Sequence, residues 1–180
     1  MINKVKLVVL AIVFVSCNTS INNNLMSDNK DKVEKKEAKS EQVIPKVVGI
    51  GGIFLKSKNP KKTKEWYGGN LGMTMDKYGS SFEFRNANNP DEINYLIWSL
   101  FEENTDYFQP SEKEFMINYR VQNIEGLVKK LEENGVKIVD KIEKYEYGKF
   151  VHIMDPEGNK IELWEPVDTV FTQKGGATNK

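Results

Sequence analysis

The 180-residue sequence has one cysteine, Cys17, and one histidine, His152. A lone cysteine has no partner for an intrachain disulfide, so no disulfide framework staples this fold. Charge of one sign is also missing: 26 Lys and Arg stand against 26 Asp and Glu. That balance provides no electrostatic footprint for nucleic acid. Basic pairs such as Lys61–Lys62 and Lys129–Lys130 read as solvated helix faces. Nor is there an apolar run of membrane-spanning length. Leu7–Val15 is unbroken but holds only nine residues, against the ~20 that a spanning helix needs. The length suits one domain of ordinary size with flanking segments.

What is present at the N-terminus reads as a targeting segment. Lys4 and Lys6 precede the apolar run and the small residue Ser16 follows it, the layout of a secretory signal. Phe14-Val15-Ser16-Cys17 resembles the bacterial lipobox, with Phe14 in place of the usual leucine. The resemblance implies a signal peptide over 1–16, a lipidated Cys17 and anchorage to a lipid bilayer in the bacterial cell envelope. Asn18, where an aspartate would retain the protein at the inner membrane in some bacteria, favours the outer one. The alternative is an incidental cysteine behind an ordinary cleavage site. Residues 17–45 are rich in Asn, Lys, Glu and Ser. Their Glu and Lys fall at helical spacing but leave no apolar stripe to bury, so a disordered tether is expected.

From Lys46 the pattern changes. Val47–Leu55 reads as a glycine-interrupted strand, and Asn59-Pro60 as the cap and first residue of a helix that ends in glycines. Strands are expected at 74–77, 81–86 and 93–100. Glu102–Lys113 is a polar linker containing Tyr107 and Phe108. The order then repeats. Phe115–Val121 alternates as a strand, and Asn123 caps a helix with Ile124, Leu127, Val128 and Leu131 on one face. Strands follow at 136–139, 147–154 and 160–164. The helix starts, Pro60 and Ile124, lie 64 positions apart. Two βαβββ modules, 46–102 and 113–166, are therefore expected to pair into one α+β domain over 46–166. Residues 167–180 are expected to be a flexible tail.

This order of elements, a helix running into Asn70-Leu71-Gly72-Met73, and the closing run Asp155–Pro166 (DPEGNKIELWEP) resemble the vicinal oxygen chelate superfamily. That is the fold of glyoxalases, bleomycin resistance proteins and extradiol dioxygenases. The resemblance implies a cup-like curved sheet of eight mixed strands with helices outside. Metal-using members place one ligand on the first strand and one on the last strand of each module. Carried onto this chain, those positions fall at Gly52, at Ile97, Trp98 or Ser99, at or beside Met116, and at Glu162. Only Glu162 is a usual metal ligand. A catalytic zinc site keeps three protein ligands, so no divalent metal and no other cofactor is expected, which argues against metal-dependent chemistry.

Alternation supplies candidates for the cup face. Met116, Asn118 and Arg120 share one side of their strand, as do Lys160, Glu162 and Trp164. Pairing Met154 with Lys160 across the Asp155–Asn159 turn sets His152 opposite Glu162, an acid/base arrangement. Arg120 is either a carboxylate binder or the ion-pair partner of Glu162. Trp98, Tyr145 and Tyr147 are candidates for ligand stacking or for packing. Tyr107 and Phe108 plug the domain or rim the cleft. Three readings stay open. The first is a metal-free small-molecule binding module, and the second a lyase or isomerase using Glu162 and His152 for proton transfer. The third is a lipoprotein interaction module with a vestigial cleft. A homodimer is compatible with all three.

Overall fold

The computed structural model describes residues 43–180. The expected signal segment 1–16, Cys17 and nearly all of the tether lie outside the described residues. The elements run β1 (Lys46–Ser57), α1 (Pro60–Leu71), β2 (Gly79–Asn86), β3 (Asn89–Glu102), β4 (Phe115–Gln122), α2 (Ile124–Glu133), β5 (Glu143–Tyr145), β6 (Gly148–Met154), β7 (Lys160–Pro166) and α3 (Asp168–Lys174). Both long helices begin where a side chain answers an otherwise orphaned backbone donor. Asn59 Oδ1 accepts from the Lys62 amide at 3.0 Å, and Asn123 Oδ1 from the Gly126 amide at 3.0 Å. Gly72 closes α1 in the left-handed region, φ 67°, where glycine has no Cβ penalty.

The strands form one mixed, curved α+β sheet of order β2-β3-β1-β4-β7-β6-β5. The modules meet where β1 pairs antiparallel with β4, Gly52 against Asn118 and Phe54 against Met116. β4 then runs parallel to β7, setting Asn118 beside Glu162 and Arg120 beside Trp164. The β6–β7 hairpin sets His152 opposite Glu162 and Phe150 opposite Trp164, the register expected from the turn. Directly paired residues share a face. Phe54, Met116, Asn118, Arg120, His152, Glu162 and Trp164 therefore line one side.

The other side is the main core. Ile124 and Leu127 of α2 pack with Val121, Val151, Ile153 and Leu163, and Val128 and Leu131 close its edge. Each such side chain contributes roughly 1.5–3 kcal/mol on burial, so the i, i+3, i+4, i+7 stripe of α2 is what seats the second module.

Three expectations are corrected. Among the described residues the sheet has seven strands, close to the eight inferred, and 74–77 is not one of them. Its backbone bonds go elsewhere: the Thr74 amide donates to Asn179 Oδ1 and the Thr74 carbonyl accepts from the Ser80 hydroxyl. The expected strand 136–139 reduces to one bridge, Ile138 to Ile153. Beyond it, Asp140 Oδ1 takes the His152 amide at 2.8 Å in place of a backbone acceptor, and pairing resumes only at β5. Finally, 167–180 is not a loose tail. It forms α3 and returns to the sheet at Asn179, which exchanges backbone bonds with Ser81 and Glu83.

Candidate functional site

The open face of the sheet carries a buried polar row. Glu162 is 3% exposed, and its carboxylate accepts from three elements. Asn118 Nδ2 of β4 donates to Oε1 at 2.5 Å, the Tyr107 hydroxyl donates to Oε2, and His152 Nε2 lies 2.9 Å from Oε2. The other imidazole nitrogen, Nδ1, lies 2.6 Å from Asp140 Oδ2. An imidazole with a carboxylate at each nitrogen is fully satisfied only when both nitrogens donate, that is, as the cation. Burial pushes the His152 pKa down, but the bonds and charges of Glu162 and Asp140 outweigh it, so the net direction is up. Burial and the Glu162 charge push the Tyr107 phenol far upward, so it stays a donor. Asp140–His152–Glu162–Tyr107 is thus a continuous chain of groups able to hold or pass a proton.

The inter-module linker closes this end. Lys160, a residue 6% exposed, donates through Nζ to the Tyr107 carbonyl at 2.6 Å, and burial lowers the Lys160 pKa. The Ser111 hydroxyl donates to the Gly158 carbonyl at 2.7 Å, tying the linker to the β6–β7 turn. Phe108 is fully buried with Phe54 and Met116, and Ile97 and Phe101 pack around them. Tyr107 stacks on Phe101 at 5.1 Å and stands edge-on to His152 at 5.5 Å.

Arg120 marks the other end of the face. Its side chain crosses β1 over Gly49 and Gly51, where a Cβ would lie 3.7 Å from Arg120 Cδ and 2.9 Å from Arg120 Cγ respectively. It reaches β3, where Nη1 donates to the Tyr95 carbonyl at 3.1 Å. The guanidinium lies 5.2 Å from the Trp164 ring and 5.7 Å from the Phe84 ring. Its counter-charge is Asp168 of α3. Of the two readings for Arg120, the ion pair with Glu162 is not formed, because its guanidinium is on Asp168 of α3.

Four other sequence candidates are placed in different parts of the structure. Asn118 is in the row. Trp98 is not: it pairs with Ile53 and packs on Tyr67 of α1 at 4.6 Å, on the helix-covered side. Of the two readings, ligand stacking or packing, its position is that of a packing residue. Tyr145 and Tyr147 stack on each other at 5.4 Å beside Phe150, at the β5 rim. Phe171 of α3 contacts Tyr147, Trp164 and Tyr95. The sequence reading missed Asp140, Asp168 and Phe171. Asp140 follows an apolar run at the point where a strand should have continued, and that polar stop was its one signal.

The fold's metal can be tested against these residues. At the family positions Gly52 has no donor, Met116 is sealed under Phe108, and both oxygens of Glu162 already accept hydrogen bonds. His152 spreads its nitrogens between two carboxylates rather than converging with them on one point. The donor set does not fit a divalent ion, which needs several O or N donors around one centre.

The model of the Glyoxalase/Bleomycin resistance protein/Dioxygenase superfamily matches residues 49–163. No curated protein matches the sequence. Among solved structures, a methylmalonyl-CoA epimerase variant of Streptomyces coelicolor in complex with 2-nitronate-propionyl-CoA superposes with TM-score 0.51 at 12% identity, over 68% of this chain and 99% of that one. The methylmalonyl-CoA epimerase of Mycobacterium tuberculosis gives 0.47 at 18% identity, over 69% and 91%. A superfamily member from Vibrio splendidus 12B01 gives 0.40 at 13% identity, over 68% and 99%. At such identities the likeness concerns the fold alone. With the family model spanning both modules, the chain belongs to the glyoxalase/bleomycin resistance protein/dioxygenase superfamily.

Proposed function

We propose that this chain is a metal-free small-molecule binding protein, held at the bacterial envelope by lipidated Cys17. The observation that carries the binding reading is the way Glu162 is covered. A nearly inaccessible carboxylate, amide and imidazole converge beneath Tyr107, which is itself 37% exposed and rides on a linker rather than a strand. Swinging that one phenol away presents a charged acceptor, two donors and an aromatic wall of Phe101 to a ligand. Those are the few convergent polar groups on an apolar surface that binding sites use. Thermal-shift and fluorescence screening of the purified full-length chain tests it, with Glu162→Ala beside wild type. Ligands that bind wild type and fail with Glu162→Ala support the site. Hits indifferent to Glu162 remove it. The lipid anchor is tested separately by detergent phase partitioning, which Cys17→Ala should abolish.

A second reading, a lyase or isomerase, is favoured by one observation: His152 Nε2 sits 2.9 Å from Glu162 while Nδ1 is held by Asp140. In that reading Glu162 takes a proton from a carbon acid and His152, oriented by Asp140, stabilises or returns it. Solvent deuterium appearing at the α-carbon of a bound carbonyl compound, and lost in Glu162→Gln with binding retained, supports catalysis. Binding without exchange leaves the binding protein alone.

A further inference from the structure

The Arg120 end of the face holds a charge that the small-molecule reading has not used. β4 delivers a guanidinium into a nearly closed box. Phe84 and Trp164 flank it, Phe150 stacks behind Trp164 at 5.7 Å, and the Tyr95 carbonyl takes one of its donors. All of these groups come from the sheet. The two glycines of β1 form the trough in which the side chain lies, so its course along the sheet is set by β1 and β3 before it meets α3. A guanidinium held beside aromatic rings, with N–H groups left over from its bond to the Tyr95 carbonyl, is a receptor for a carboxylate.

α3 fills that receptor. Asp168 and Phe171 stand at i, i+3 on one face of a seven-residue helix, where side chains are neighbours. Asp168 puts its carboxylate on Arg120 while Phe171 puts its ring on Trp164 at 5.7 Å. The helix thus supplies the two halves of a short aryl-alkanoate. Beyond Asp168 and Phe171 its side-chain ties are Thr172 to the Tyr95 hydroxyl and Lys174 to Glu146. None of its residues is buried, no side chain caps its start, and it ends at Gly175 and Gly176, both at positive φ. Asp168 Oδ1 is buried without a partner among the described residues, whereas Oδ2 accepts from both Arg120 and Asn94. The pairing leaves one of the two carboxylate oxygens unanswered. A crevice of about 300 Å³ runs between α3 and the start of β3 and reaches Asp168.

The geometry points to a carboxylate-binding subsite at Arg120, selective for an acid bearing an aromatic or bulky apolar group, that α3 occupies as an internal stand-in. Residues 167–176 act as a strap, pinned beyond its glycines by Asn179, whose side chain binds the Ser80 hydroxyl and the Ser81 carbonyl. A free carboxylate competes with Asp168 for the same guanidinium. The strap therefore lowers apparent affinity in proportion to the fraction of molecules in which it is docked. This inference rests on the small-molecule reading and names the ligand class for the half of the face away from Glu162.

Phenylpropionate is the probe, and phenylpropionamide, of the same shape without the charge, is the control. Both are titrated against the full-length chain by tryptophan fluorescence and thermal melting. Asp168→Asn frees the guanidinium and should bind phenylpropionate at least about tenfold tighter than wild type, as removal of a strap docked in nine molecules of ten requires. The amide should show no such gain, and adding Arg120→Met should abolish binding. Should Asp168→Asn fail to fold, Phe171→Ala keeps the test: it opens the aryl half and should also tighten phenylpropionate over wild type. Equal affinity in wild type and the strap variant, an equal gain for the amide, or binding that survives Arg120→Met overturns the subsite. If wild type still takes other ligands through Glu162, only the subsite falls. If no variant binds any ligand, the small-molecule reading falls with it.

Discussion

The two ends of the open face stand on the same pair of strands, two residues apart, and they are closed in opposite ways. Asn118 and Glu162 form one step of the β4–β7 ladder, Arg120 and Trp164 the other. At the first step a buried anion is answered by hydrogen bonds from a neutral phenol, an amide and an imidazole. At the second a buried cation is answered by a full counter-charge. In both cases the covering group comes from outside the modules, Tyr107 from the linker and Asp168 from α3. The strands of this fold supply charge, and the connecting segments decide what the charge meets. A closed face can then become an open one without any change in the sheet.

The comparison breaks most readily at the ion pair. Arg120→Met strands the Asp168 carboxylate, whose side chain is only 11% exposed, beside apolar rings, and removing one partner of so nearly buried a pair costs up to about 3–5 kcal/mol. Urea denaturation should show that loss, with part of it recovered in Arg120→Met/Asp168→Asn because neither charge is then stranded. If the double variant is no more stable than Arg120→Met, the pair is not what docks α3. The linker offers a parallel contrast between neighbours. Phe108 is fully buried, and Phe108→Ala should cost about 3–5 kcal/mol. Tyr107→Phe removes one bond to a charged group at a half-exposed site and should cost only about 1 kcal/mol. Equal losses would mean that Tyr107 is as much a part of the core as Phe108, and not a cover.

Some of this was legible in the sequence and some was not, for reasons that differ by residue. The caps at Asn59 and Asn123, the α2 stripe and the His152–Glu162 register are local, set by a few neighbouring positions or by a tight turn, so they could be read directly. For Trp98 stacking and packing both stayed open, because alternation states which residues share a face but not which face is covered. Asp140 was missed because a carboxylate standing in for a strand's backbone acceptor leaves no periodic mark. α3 was read as a frayed end because seven residues are too few to show a stripe. Its partners lie far upstream, Arg120 by 48 positions and Tyr95 by 77, and contacts of that range have no local signature.

β1 crosses between the two ends and gives a smaller test. A Cβ on Gly51 would meet Asn118 Oδ1 at 2.2 Å and Trp164 at 2.8 Å, whereas one on Gly49 meets only Arg120 Cδ at 3.7 Å. Gly51→Ala therefore pushes on both steps of the ladder at once and should cost about 1–3 kcal/mol through overpacking. Gly49→Ala makes an ordinary contact and should fall within about 0.5 kcal/mol of wild type, as most substitutions free of such features do. A Gly49→Ala loss as large as that of Gly51→Ala would show that Arg120 needs the whole trough, not only the gap beside Asn118.

The smallest effect separates the ends most cleanly, because His152 is the only histidine and its NMR titration needs no assignment. Burial pushes its pKa down, Glu162 and then Asp140 push it up, and the net direction is up. A raised folded value means that protonated His152 stabilises the fold. That contribution is fully present below the ordinary histidine pKa of about 6.5 and is lost as pH rises through the folded value. Glu162→Gln keeps the burial and removes the larger of the two raising partners, so the titration should move downward and the pH-dependent stability should shrink. Asp168→Asn should leave the titration where it was, since the bonds of Arg120 go to Tyr95 and α3 rather than to Glu162. If Asp168→Asn shifts His152 as far as Glu162→Gln does, the polar row is one electrostatic unit. A ligand that lifts α3 would then also retune the proton chain at the other end.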